Sequence, residues 1–379
     1  MRTLVSAALL FLLFQPVHAQ AAMITDVRSW SAPDHSRVVL DLTGPVLHEG
    51  STLENPPQYH LEIKEATLLV QKRELEVMDN FLTKMSLAQL SKDRVKIIFH
   101  QKKPLTTTVF SLKPYLDKPH RLVIDLVDLA QEKKEQEERQ KQKERRGKGT
   151  RIVVIDPGHG GEDPGAIGTQ KAMEKDIVLK IGEKAVQLVN GSKEIQAFLT
   201  RKGDYFIPLG ERVRMAREYG ADLFVSLHAD ASHNPHARGS SAYCLSLSGA
   251  TDQAAKILAD KENMSNILGG ASSRSASIVK DPHVNQILID LMQNNSMKKS
   301  FDFAEFLLED LKTINRLKYS SYRQANFVVL RAPDIPSVLF EICYVTNKED
   351  ERLLIRNEFQ EKVANTLVST IRKYFSLSR

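Results

Sequence analysis

The sequence predicts two folds in series: a small all-β sandwich, then an α/β domain whose mostly parallel sheet is flanked by helices. Three observations predict this. Residues 22–128 hold short strand-like runs separated by Pro and Gly turn signals. Residues 129–150 then switch to an almost wholly charged stretch that ends at Gly147 and Gly149. From Arg151 onward, apolar strand-length runs alternate with amphipathic helix-length runs, the pattern of a sheet covered on both faces.

Before the first fold, residues 1–21 read as a signal peptide. Arg2 is its positive region, Leu4 to Phe14 its apolar core, and Ala19 and Ala21 the small residues near a cleavage point. The apolar run is too short for a bilayer, and no later one approaches about 20 residues, so no stable membrane insertion is expected. The net charge of +6 suits polyanionic surroundings such as cell-wall polymer. An exported chain without interleaved basic and aromatic residues is not expected to bind nucleic acid. The two cysteines, Cys244 and Cys343, are too few and too far apart for a disulfide scaffold. They read either as buried thiols or as one pair.

In the β domain, Arg37-Val38-Val39-Leu40-Asp41-Leu42 and Arg121-Leu122-Val123-Ile124-Asp125-Leu126 are near copies. Arg94 to Phe99 and Tyr59 to Ile63 are further strands. The near copies suggest two similar sheets. Trp30, the only tryptophan, reads as a core residue, with stacking on sugar as the alternative. The charged stretch that follows has no apolar face, so it is either a solvated helix or an extended linker.

In the α/β domain, strands are expected at Ile152 to Ile155, Ile195 to Thr200, Leu223 to Leu227, Phe327 to Leu330 and Ser337 to Phe340. Helices are expected at Asp176 to Val189, Leu209 to Tyr219 and Glu358 to Tyr374. Residues 251–321 interrupt this alternation with two or three consecutive helices. One spans Asp252 to Leu268 and stops at Gly269-Gly270, one opens at Asp281-Pro282, and one spans Phe301 to Ile314. The segment reads as an insertion lying over the fold.

Three motifs stand where strands give way to loops, the place where open α/β sheets carry their sites. Pro157-Gly158-His159-Gly160-Gly161 is a tight turn that presents an imidazole. His228 ends the strand begun at Leu223, and Glu341 directly follows an apolar strand, where an unpaired carboxylate is costly. Glu174 begins a helix, either as a ligand or as a carboxylate that stabilises the helix start. Two imidazoles, one carboxylate and a spare carboxylate suit a hydrolytic zinc site: three ligands, an open position for water and a base beside it. Asp230, Asp156 and Asn347 are candidates for orienting the imidazoles.

The phrases Asp156 to Gly161, Glu174-Lys175-Asp176, Thr200-Arg201, Leu209 with Arg212, Ser226 to Asp230, and Pro336 to Leu339 leading to Glu341 resemble the zinc-dependent N-acetylmuramoyl-L-alanine amidases of bacteria. The resemblance covers residues 151 to 374 and implies that His159, Glu174 and His228 bind Zn2+ and that Glu341 is the catalytic acid/base. The bond cut would be the amide between N-acetylmuramic acid and the first L-alanine of the stem peptide. The β domain resembles the AMIN domain, which implies targeting to peptidoglycan in the periplasm and at the division septum. One departure is Cys343-Tyr344-Val345-Thr346-Asn347, where relatives often carry Gly-Phe and Ser-Asn.

In cell-division amidases that the chain resembles, an inserted helix closes the site until an activator with a LytM-type domain displaces it. That implies autoinhibition by residues 251–321, with Glu262 of Lys261-Glu262-Asn263 reaching the zinc; a solvent-facing charge is the other reading. A monomer is expected. Two rival functions are a catalytically silent wall-binding or activator protein and a zinc peptidase of the stem peptide.

Overall fold

The computed structural model describes residues 21–77, 79–191, 194–232, 234, 236–271 and 286–377. The expected signal peptide, apart from Ala21, the Asp281-Pro282 helix start and most of the Ser-rich run 271–277 lie outside the described residues.

Ten strands build the first domain: β1 Ala22–Ser31, β2 His35–Leu42, β3 Leu47–Glu54, β4 Pro57–Lys64, β5 Ala66–Leu68, β6 Glu74–Glu76, β7 Leu82–Ser91, β8 Arg94–Gln101, β9 Thr106–Leu112 and β10 His120–Val127. They form two five-stranded sheets, β5-β1-β2-β10-β9 and β3-β4-β8-β7-β6. Side chains alternate across a strand. One face of β2 and β10 therefore sends Val38, Leu40, Leu122 and Ile124 into a core shared with Leu61, Ile63, Val95, Ile97 and Phe99 of the opposite sheet. The near-copy strands do not mark two sheets. They are antiparallel neighbours in one, with Arg37 opposite Asp125 and Arg121 opposite Asp41. Trp30 is not a core residue either; it is half-buried beside the Arg28 guanidinium, 5.5 Å from the ring centre.

The charged stretch is a helix, α1 Leu129–Glu144, capped by Asp128, whose carboxylate accepts from the N–H groups of Ala130 and Gln131. It has no apolar stripe but still buries one residue, Arg139, which pairs at 2.7 Å with Glu218 of the next domain. An ion pair and the long methylene stem do here what an apolar face would normally do.

The second domain runs β11 Arg151–Pro157, α2 Glu174–Val189, β12 Ile195–Leu199, α3 Leu209–Tyr219, β13 Leu223–His228, β14 Ser241–Leu245, α4 Gln253–Asn263, α5 Ser265–Leu268, α6 Gln286–Leu311, β15 Arg323–Ala325, β16 Ser337–Glu341, α7 Lys348–Leu354 and α8 Asn357–Leu377. The sheet order is β12-β11-β13-β16-β14-β15, parallel except where β14 meets β16. One face is covered by α2, α6 and α8 through Val153, Ile155, Val225, Leu307 and Leu367. The other is covered by α3 and α4 through Ile152, Val154, Phe224, Ala216 and Leu258.

Four elements of this domain differ from the sequence expectation. Strands β14 and β15 were not expected. Val328 to Leu330 is a single 3-10 turn, not a strand. The segment 251–321 is not one insertion lying over the fold: α4 packs Ala255, Leu258 and Ala259 into the core on one sheet face and brings Glu262 to the strand ends, whereas Phe303, Ala304, Leu307, Leu308 and Leu311 of α6 belong to the core on the other face. No Gly or Pro interrupts residues 286–311, so the expected second and third helices run together.

Candidate metal centre

Three central strands bring the predicted residues to one edge of the sheet. His228 and Glu341 are register partners at the ends of β13 and β16, and β11 lies on the other side of β13. After Pro157 the chain turns through Gly158, where a Cβ would stand 2.5 Å from the His228 ring, so only glycine fits. His159 itself has φ 59, a left-handed backbone unusual for a residue with a side chain. Buried arginines hold the loop in that shape. Arg212 donates to the carbonyls of Pro157 and His159, and Arg201 to those of Pro157 and Gly158.

The donor atoms converge. Glu174 Oε1 is 3.1 Å from His159 Nε2 and 3.1 Å from His228 Nδ1. Glu262 Oε2, from the last turn of α4, is 3.3 Å and 3.1 Å from the same two nitrogens. Donors bound at about 2.0 Å to one tetrahedral ion stand roughly 3.3 Å apart, so this spacing fits a shared ion. His159, His228 and Glu262 offer ligand atoms that all lie within 4.8 Å of one another. His159 Nε2 and both Glu262 oxygens are buried without a hydrogen-bond partner among the described residues, as expected of atoms aimed at an ion. Two imidazole nitrogens and carboxylate oxygens form a donor set that zinc accepts.

The charges follow from the crowding. Burial opposes a proton on His228, but Glu262 and Glu174 outweigh it and lift its pKa to about 10. Burial likewise opposes charge on His159, yet Asp163, Glu174 and Glu262 hold it well above the usual imidazole range. Glu262 is driven well below the carboxylate range because Lys261 and the two histidines outweigh its burial. Such protons leave when a metal takes the nitrogens.

Glu341 is fully buried, and neither carboxylate oxygen has a hydrogen-bond partner among the described residues. Burial first, then the nearby Asp230 carboxylate, push it well above the ordinary carboxyl range. A carboxyl that keeps a proton this long is suited to accepting and returning one.

The residues expected to orient the imidazoles divide. Asp156 does not touch them; it accepts from Thr200, Ser226 and Arg212, tying neighbouring elements together. Asn347 caps α7 by accepting from the N–H groups of Glu349 and Asp350. Asp230 pairs with Lys261 at 3.3 Å. The carboxylate that orients an imidazole is Asp163, 2.8 Å from His159 Nδ1, which leaves Nε2 facing the donor cluster. Its sequence signal was an acidic residue in the same glycine-rich loop, which reads equally well as a turn former.

Helices α4 and α5 close over the centre. Ser265 donates to Asp163, Asn266 accepts from the Leu209 N–H, and Asn263 exchanges hydrogen bonds with Asn326 and Val328. The cavity left between Gly158, His159, His228, Glu262 and Phe327 is about 10 Å³, room for one water. Both cysteines are free and buried; Cys343 accepts from Asn315 and Cys244 donates to the Ser300 carbonyl.

Residues 153–373 match the family described as N-acetylmuramoyl-L-alanine amidase, and residues 26–126 match the AMIN domain. The chain is 33% identical to the N-acetylmuramoyl-L-alanine amidase AmiC of Escherichia coli O6:H1 over 94% of its own length and 91% of that protein. It is 32% identical to AmiC of Neisseria meningitidis serogroup B, over 95% and 91% of the two chains. It is 42% identical to AmiA of Escherichia coli K12, over 61% and 78%.

Proposed function

We propose, from the premise that the chain belongs to the N-acetylmuramoyl-L-alanine amidase family with an AMIN domain ahead of the enzyme, that its amidase centre is a zinc site closed by its own helix. The enzyme hydrolyses the amide between N-acetylmuramic acid and L-alanine in peptidoglycan. His159 Nε2, Glu174 and His228 Nδ1 would hold the metal, with Glu262 blocking it in the resting state. The observation that carries this reading is that Glu174 and Glu262, from two different helices, each place an oxygen within 3.3 Å of both His159 Nε2 and His228 Nδ1.

When bound, zinc supplies a Lewis acid that polarises the scissile carbonyl and makes water acidic enough to attack near neutral pH. Glu341 accepts a proton from the attacking water as its oxygen bonds to the carbonyl carbon. It returns that proton to the alanine nitrogen as the C–N bond breaks, and the acid's remaining proton passes to the amine, leaving a lactyl carboxylate and an ammonium group. Asp163 holds His159 in the tautomer that leaves Nε2 available. Residues 151–379 carry this chemistry, the β domain holds the enzyme on the wall, and export to the periplasm, with action at the septum, follows from the substrate. A LytM-type activator that lifts α4 would expose the site.

The test is digestion of dye-labelled sacculi with and without a chelator, followed by mass spectrometry. Free stem peptides beginning with L-alanine, beside intact glycan strands, support the reading. Cleavage inside the stem peptide, or release that survives chelation, overturns it.

A further inference from the structure

The two faces of β2 and β10 have different work. While Val38, Leu40, Leu122 and Ile124 fill the sandwich, the alternate residues Arg37, Val39, Arg121 and Val123 are also buried, with no place in that core. They face the enzyme domain. Arg121, fully buried, donates to the carbonyls of Leu268 at 2.7 Å and Ile267 at 3.2 Å. Arg37, gripped by both oxygens of Asp125 at 2.7 Å, donates to the carbonyl of Gly269. Gly270 packs against the same face: a Cβ there would stand 3.1 Å from Leu112 and in ordinary contact, 3.5 Å, with Val123.

These carbonyls are the last ones of α5, the negative end of the segment that closes the site. The same β face also holds the metal loop. Glu162, three residues after His159, is buried among Arg28, Arg121 at 3.1 Å and Lys118 at 3.3 Å, all from the β domain. The next residue, Asp163, accepts from both His159 and Ser265 of α5.

We propose that the β domain is a second lock on the lid: its arginines grip the end of α5 and Glu162, so that α4 cannot lift Glu262 away until those contacts break. This rests on the autoinhibited reading above. An opening lid must either strip the hydrogen bonds that Arg37 and Arg121 make to the carbonyls of residues 267–269, leaving each guanidinium with its carboxylate partner alone, or carry the β domain with it and break the Glu162 pairs. Truncating one partner of a buried charged contact is far costlier than losing an exposed one, so the grip adds materially to closure.

The test uses the full-length, zinc-loaded protein with the single variants Arg37→Ala, Arg121→Ala and Glu162→Gln, beside Glu262→Ala as a control. Two quantities are read without activator: hydrogen exchange of the amides of residues 264–270, and dye release from sacculi. Each lock variant should raise both by about tenfold, the equilibrium size of one charged hydrogen bond. If Arg121→Ala costs the β domain its own amide protection, Arg37→Ala and Glu162→Gln decide. Unchanged lid exchange in those two variants overturns the lock. If Glu262→Ala raises dye release at the same time, autoinhibition stands without the lock; if Glu262→Ala also leaves dye release flat, the autoinhibited reading itself fails.

Discussion

Glu262 Oε2 lies 3.1 Å from His228 Nδ1, although one residue ends a covering helix and the other ends a central strand. Both are buried, and the same His228 nitrogen also lies 3.1 Å from Glu174 Oε1, so two carboxylates converge on one imidazole. Replacing Glu262 with Ala is expected to raise sacculus hydrolysis without activator by tenfold or more, the shift produced by removing about 1.4 kcal/mol of closed-state preference. Dye release measured against the parent protein checks it; an unchanged rate contradicts the blocking role.

Glu341 separates chemistry from metal binding. Its carboxylate oxygens have no hydrogen-bond partner among the described residues, and Gln keeps its volume. Glu341→Gln is expected to lower kcat by about 10²–10⁴ while zinc content stays at one ion per chain. Activity assays paired with elemental analysis test this. Loss of metal from the variant would mean Glu341 is a ligand and not a proton carrier.

In the proposed zinc centre Asp163 acts through His159, whose Nδ1 it holds at 2.8 Å. Asp163→Asn keeps the shape but removes the charge that fixes the imidazole, so zinc affinity is expected to fall roughly 10- to 100-fold. Competition with a chromophoric chelator reads this directly. His159→Ala, by contrast, should abolish tight binding, and the ranking of the two variants is the informative result.

Asp156 gives the fold an acid-sensitive joint. Burial raises its pKa, but Arg212, Thr200 and Ser226 together outweigh burial and hold the folded value below the ordinary one. A lowered folded pKa contributes stability above the unfolded value of about 3.9, and that stability is lost as pH falls through the folded pKa. Thermal stability is therefore expected to drop below about pH 4, and Asp156→Asn should flatten that part of the profile. At neutral pH the same variant should cost about 3–5 kcal/mol, because Arg212 is left buried without its countercharge. Melting curves across the acid range test both.

The site was more legible than the assembly around it. His159, His228 and Glu341 stand out because each places a polar side chain at the end of an apolar strand, a costly position that demands a reason. Asp163 was not legible, since an acidic residue in a glycine-rich turn needs no further role. The near-copy strands show where pattern stops. The phrase Arg-Val-Val-Leu-Asp-Leu gives a strand with two distinct faces, but neither which strand lies beside it nor what covers the second face. Arg121 meets Glu162 and Leu268 only after folding, so no local spacing signals that contact. The break expected within 281–314 failed for a related reason: polar Asn294, Asn295 and Ser296 resemble a loop, yet α6 continues through them with Ser296 and Ser300 hydrogen-bonded to its own carbonyls.

The most direct measurement is anomalous diffraction at the zinc edge from crystals of the resting protein. One peak is expected about 2.0–2.2 Å from His159 Nε2, His228 Nδ1, Glu174 and Glu262. No peak among these four donors, or an ion bound elsewhere, would contradict a zinc centre plugged by its own helix.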